Sequence, residues 1–126
     1  MWNEEVETAG GDITRWLATN ELPSLPVAVF NLDNVLLDDQ FKRIDPIIIA
    51  MEHVISQGVE VMMITDRIKT DASVKLMFTQ LVRNEIPICR WIYFRRVNGR
   101  NPAVYKRRAR KSIFQQGKCI IMTVGC

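Results

Sequence analysis

Apolar positions along this chain fall into two patterns. Four short segments, Val27–Phe30, Val59–Thr65, Ile88–Phe94 and Cys119–Val124, are apolar at nearly every position. Runs of this length predict strands buried on both faces. The segments between them carry helical signals. Asp12 is placed to cap a short helix through Ile13, Trp16 and Leu17 that stops at Asn20, and Pro23 and Pro26 then break the chain. Asp45-Pro46 reads as a cap followed by proline in the first turn, with Gly58 as the left-handed closing residue. Thr70 or Asp71 caps a third helix, in which Val74, Met77, Phe78, Leu81 and Val82 recur at i, i+3, i+4, i+7 and i+8. Asn101-Pro102 and Gly117 bracket a fourth.

Capped helices alternating with apolar strands predict right-handed crossovers. The expected fold class is α/β: one doubly wound, Rossmann-like parallel sheet of about four strands with helices on both faces. It forms a single domain, with an N-terminal helical segment at 1–22 and the core at 27–126. Ligands of such sheets bind beyond the carboxyl ends of the strands. The positions to inspect therefore follow Phe30, Ile64, Phe94 and Val124.

Composition adds little until charge is mapped. The chain has 126 residues, of which 48% are apolar, enough for one core. Its acidic start does not resemble a secretory leader, and its longest apolar stretch, Ile47–Met51, is too short for a membrane span. Cys89, Cys119 and Cys126 have no metal-ligand spacing and read as reduced thiols, so a cytoplasmic protein with no membrane partner is expected. The net charge of +3 conceals a division. Residues 1–85 hold all 14 acidic residues and 7 basic ones, and residues 86–126 hold 10 basic residues and no acid, giving −7 and +10. A basic segment of this kind suits nucleic acid, or it folds against the acidic part.

The strand ends carry the chemistry. Phe30-Asn31-Leu32-Asp33-Asn34-Val35-Leu36 follows the first apolar run, and Val61-Met62-Met63-Ile64-Thr65 closes the second. These segments resemble the first two motifs of the haloacid-dehalogenase (HAD) phosphatase superfamily, Asp-x-Asp-x-(Thr/Val)-(Leu/Val) and an apolar strand ending in Thr or Ser. Lys106, with Lys111 in reserve, corresponds to the helical lysine of the third motif. Ile120 to Gly125 corresponds to the strand of the fourth. The resemblance implies roles: Asn31 at the nucleophile position, Asp33 as general acid and base, and Thr65 and Lys106 as holders of the phosphoryl oxygens. It further implies Arg67, Arg95 and Arg96 as substrate contacts and Mg²⁺ held through positions Asn31 and Asp33.

Two departures from the family pattern matter. An amide at Asn31 cannot form an acyl phosphate, and Cys126 stands where a metal-binding Asp belongs, so Mg²⁺ binding is expected to be weak or absent and hydrolysis weak or lost. The pattern fits a natural pseudophosphatase, an Asp→Asn exchange that traps substrate, or an unrelated parallel α/β domain. Only 33 residues separate Asn31 from Thr65 and 40 separate Thr65 from Lys106, too few for an inserted cap domain. An open site suits macromolecular substrates. Segment 90–111 has nine basic residues, with Trp91, Tyr93, Phe94 and Tyr105 among them, and its order is similar to the phosphatase half of polynucleotide kinase-phosphatases. The expected partner is a phosphorylated small molecule or nucleic-acid end. The rival is a non-enzymatic module binding nucleic acid or an acidic protein through 90–111. His53, the single histidine, falls mid-helix, and Gly10-Gly11 does not form a phosphate loop.

Overall fold

The computed structural model describes residues 4–95 and 102–125. Its elements run α1 (Glu4–Thr19), β1 (Pro26–Asn31), α2 (Asp45–Ser56), β2 (Glu60–Ile68), α3 (Asp71–Arg83), β3 (Trp91–Arg95), α4 (Pro102–Gln115) and β4 (Cys119–Val124). The strands form one parallel sheet in the order β3-β2-β1-β4. The α/β doubly wound class expected from the sequence is therefore observed. The chain moves outward from β1 to β2 to β3, then returns through α4 to place β4 on the other side of β1. Right-handed crossovers in opposite directions leave their helices on opposite faces. One face accordingly packs Ala28, Phe30, Val61 and Met63 against α1, α2 and α3. The other packs Val27, Val29, Met62 and Ile64 against Ala109 and Ile113 of α4.

Several boundaries differ from the sequence expectation. The first helix begins at Glu4 rather than at Asp12. Val6, Ala9, Ile13 and Leu17 all pack on the core, so the inward face continues through the two glycines. Gly10 has a steric reason to lack a side chain, since a Cβ there would lie 2.9 Å from the carbonyl oxygen of Pro46. The cap of α2 is Ile44, not Asp45, which lies in the first turn and pairs with Arg43. Thr70 does cap α3, its side chain accepting from the Ser73 amide at 3.1 Å.

The strands shift as well. β2 continues past Thr65 to Ile68 because Ile68 pairs with Arg95 after a register shift, so Asp66 and Arg67 lie within the strand rather than beyond it. β3 starts at Trp91, where pairing with Met62 begins, and Ile88 is left exposed.

The apolar stripe expected on α3 is only half correct. Met77 and Leu81 are buried, but Phe78 and Val82 are exposed and Gln80 is buried instead. Met77, Gln80, Leu81 and Asn84 recur at i, i+3, i+4 and i+7, so the inward line is rotated from the expected one and half of it is polar. The partners of those two amides explain the rotation.

Candidate functional site

The site begins where β1 ends. Asn31 is 6% exposed and pairs in register with Ile64, and Leu32 donates its amide to the Ile64 carbonyl at 3.0 Å. The chain then turns sharply. The amides of Leu36 and Leu37 return to the Leu32 carbonyl, and Asn34 takes the left-handed conformation at φ 62° that asparagine tolerates. Leu32, Leu36 and Leu37 anchor the turn in the core, which leaves Asp33 facing the strand ends. Gly125 closes the far side at φ 104°, where a Cβ would come within 2.8 Å of Asn31 Nδ2 and Val35 Cγ2.

Thr65 and Arg67 of β2 converge on Asp33. Thr65 Oγ1 donates to Asp33 Oδ2 at 2.9 Å and accepts from the Arg67 amide at 3.2 Å. Arg67 Nη2 donates to Asp33 Oδ1 at 2.8 Å and Nε to the same oxygen at 3.3 Å. Nη1 donates to Gln80 Oε1 at 2.7 Å, which is why α3 turns Gln80 inward. The guanidinium side chain is 15% exposed, so its pairing is stronger than that of a surface ion pair. The single Nε–H is shared between both Asp33 oxygens, whereas Nη1 and Nη2 each make one bond from two N–H groups, so capacity for an incoming oxyanion remains on the Nη groups.

A second charged group lies beside the first. Lys106 Nζ is 3.6 Å from Asp66 Oδ2, and Arg95 Nε donates to the Asp66 carbonyl at 3.1 Å. Asp66 Oδ1 is shut off from solvent and takes no hydrogen bond among the described residues. Asp66 follows Met62 and Ile64 on the α4 face, so Lys106 meets Asp66, whereas Thr65 turns to Asp33. The sequence candidates thus form two neighbouring groups. Asp33, Thr65 and Arg67 are bonded together, Lys106 and Arg95 gather on Asp66, and Asn31 lies between Gly125 and β2. Arg96 and Cys126 lie outside the described residues.

One wall of the site escaped the sequence reading. After Leu37 the chain makes a hairpin, bridged between Leu37 and Arg43. Asp38 Oδ1 accepts from the amides of Gln40 and Lys42, both at 2.9 Å. Asn84, just past α3, donates to the Phe41 carbonyl at 3.0 Å and accepts from the Arg43 amide at 3.1 Å. Phe41 is held at φ 59°, a left-handed conformation costing a bulky residue roughly 1–2 kcal/mol. Its ring centroid is 5.5 Å from Arg67 Cζ. Gln80 and Asn84 were legible only as polar residues at helical spacing from Met77 and Leu81, and Phe41 only as a lone aromatic in a polar loop.

Mg²⁺ needs hard oxygen ligands, usually one or two carboxylates with phosphate and water. Here position 31 offers a neutral amide, Asp33 is engaged by Arg67 and Thr65, and Asp66 faces Lys106. No group of three or more His, Cys, Asp or Glu placed to hold a metal occurs among the described residues. The residues present do not fit a magnesium centre, and a guanidinium meets the charge of Asp33.

No protein-family model matches the chain, and no curated protein does. Among solved structures it is similar to the class C acid phosphatase from Bacillus anthracis with tungstate bound, with a TM-score of 0.68 at 13% sequence identity. The match covers 94% of this chain and 60% of that one, so the chain spans less than two thirds of that phosphatase. No helix among the described residues is long and apolar enough to cross a membrane. The four-stranded parallel sheet with its helices is a Rossmann-like α/β fold, and it is this fold that the chain shares with that phosphatase.

Proposed function

We propose that this chain binds a phosphorylated ligand at the carboxyl end of its sheet, nucleotides and nucleic-acid ends being the candidate class, and that it hydrolyses phosphate esters weakly or not at all. The observation that carries this reading is the pairing of Asp33 with Arg67 beside an amide at position 31. A HAD-type reaction needs a carboxylate to attack phosphorus, and the Asn31 amide cannot form that acyl phosphate. Asp33, as general acid, would have to reach the leaving group, yet its two carboxyl oxygens are already taken up by Thr65 and Arg67. Binding is favoured by the same residues. Arg67 balances Asp33, Lys106 balances Asp66, and Arg95 remains, so the two groups sum to one positive charge without a metal. An oxyanion is the natural complement.

The short connections support an open, capless site. Residues 32–44 between β1 and α2 are taken up by the turn and the hairpin, and two residues join β2 to α3. This arrangement is compatible with the end of a macromolecule, as in the polynucleotide phosphatases that the sequence resembles.

The deciding experiment is hydrolysis of an aryl phosphate and a 3′-phosphorylated oligonucleotide, with and without Mg²⁺, by the chain and by Asn31→Asp, alongside calorimetric titration of inorganic phosphate. Phosphate binding without turnover, and only a modest gain in the variant because Asp33 stays tied to Arg67, are expected. Wild-type turnover with Mg²⁺ at the rate of an intact phosphatase would overturn the impaired-site reading, and absence of phosphate binding would overturn the ligand.

A second reading draws on α4. Arg107, Arg108 and Lys111 are exposed on its outer side while Ala109 and Ile113 face the sheet. That face, continuous in sequence with the rest of segment 90–111, suits nucleic acid or an acidic protein. This reading expects affinity that falls steeply with salt and ignores substitutions at Asp33 and Thr65. Unchanged binding after neutralising Arg107, Arg108 and Arg110 would exclude it.

A further inference from the structure

From the geometry of the hairpin over the site we infer that Phe41 is a stacking platform, so that the preferred ligand carries a planar aromatic ring next to its phosphate. This inference rests on the phosphate-binding reading above and specifies its ligand.

Three observations support it. First, Phe41 lies directly beside the proposed phosphate contacts, its ring centroid 5.5 Å from Arg67 Cζ, and Arg67 is bonded to Asp33. Second, the ring is not absorbed by the core, because Phe41 remains 48% exposed while neighbouring Leu36 and Leu37 are fully buried. An aromatic ring with one side against a guanidinium and much of its surface in water offers a π face to a ligand.

Third, the hairpin is built to keep the ring there. The left-handed φ of 59° is maintained by the Asp38 turn and by Asn84, which bonds to the backbone on both sides of Lys42. Arg43 Nη1 adds a bond to the Asn84 carbonyl at 2.7 Å. A flexible loop would lose ordering entropy on binding, and this one is already ordered. Bases and other planar rings stack on such platforms with little regard to identity, so Phe41 selects for a ring and leaves its substituents unread.

A shield for the Arg67–Asp33 pair is the competing role of Phe41, and titration separates the two. Inorganic phosphate, glycerol phosphate, phenyl phosphate and adenosine 5′-monophosphate are titrated into the chain and into Phe41→Ala, Phe41→Leu and Phe41→Trp, with thermal denaturation of each variant confirming that it is folded. The two ring-bearing esters are expected to bind about ten-fold more tightly than glycerol phosphate. That advantage is lost in Phe41→Ala and in Phe41→Leu, which keeps an apolar cover over Arg67 without a π face, and is retained in Phe41→Trp. A preference for adenosine 5′-monophosphate over phenyl phosphate identifies the ring as a nucleobase, and equal binding identifies any planar ring.

Tight phosphate binding with no ring advantage, or an advantage that survives in Phe41→Leu, overturns the inference and leaves the phosphate site standing. An equal loss for all four ligands in Phe41→Ala makes Phe41 a shield and also overturns it. If none of the ligands binds wild type, the phosphate-binding reading fails and the inference fails with it.

Discussion

Replacing Arg67 by Met tests whether the guanidinium organises the strand ends. The exchange keeps an unbranched side chain of similar reach and removes every donor. Two groups are left behind. Gln80, 6% exposed, loses its partner for Oε1, and an unsatisfied buried amide costs about 1–3 kcal/mol. Asp33 loses its counter-charge, but its side chain is 35% exposed, so water replaces part of the pairing and the loss falls between the surface and buried limits, at about 1–2 kcal/mol. The expected destabilisation is about 3 kcal/mol, a fall in Tm of roughly 10 °C for a chain of this size. Urea denaturation followed by circular dichroism measures it. Adding Gln80→Leu to the Met variant should recover about 1 kcal/mol, because the stranded amide is then gone. A double-mutant cycle of Arg67→Met with Asp33→Asn should give a coupling energy near 1 kcal/mol or more. Destabilisation under about 0.5 kcal/mol, with no coupling in the cycle, would refute the pairing and the assignment of Arg67 as the charge that meets Asp33.

Three further outcomes follow from geometry and titration. Gly10→Ala should destabilise by about 1–2 kcal/mol, because its Cβ meets Pro46 backbone at 2.9 Å, whereas Gly11→Ala, with nothing within 4 Å, should stabilise by about 0.5–1 kcal/mol; equal Tm shifts would contradict the packing of α1 on α2. Gly125→Ala should cost about 2–3 kcal/mol from its φ of 104° and the 2.8 Å approach to Asn31, and a wild-type denaturation midpoint would refute that contact. The Cys89 thiol is pushed up from 9.0 to about 12, first by burial and then by the charge of Glu60. A raised pKa favours the protonated folded state, so this contribution is complete below pH 9 and is lost between 9 and 12. Denaturation across that range should show a decline that Cys89→Ala lessens, and native Cys89 should react with a thiol reagent far more slowly than exposed Cys119.

The sequence by itself determined the kind and order of the elements. Val27–Phe30 is apolar at every position because β1 is covered on both faces, and no amphipathic arrangement accommodates such a run. Thr70 or Asp71 marked the start of α3, and Thr70 is the one whose side chain caps the helix locally. The alternation of helices and strands then implied a parallel sheet, and with it the placement of Asn31, Asp33, Thr65 and Arg67 near the carboxyl ends of β1 and β2. These are short-range constraints, and short-range patterns record them.

What the sequence could not fix depended on long-range pairing. The order β3-β2-β1-β4, with α4 on the face opposite α1, α2 and α3, follows from which edge of β1 the last strand joins, and both edges offer the same backbone groups. β2 extends to Ile68 only because Arg95 pairs with it there. The rotation of α3 shows the same limit. Val74, Phe78 and Val82 make a more hydrophobic stripe than Met77, Gln80, Leu81 and Asn84. The helix nevertheless turns its amides inward, since Gln80 meets Arg67 and Asn84 meets the hairpin, 13 and 41 residues away in sequence. A buried donor or acceptor must find its partner across the fold, and only the tertiary structure shows which partner it found.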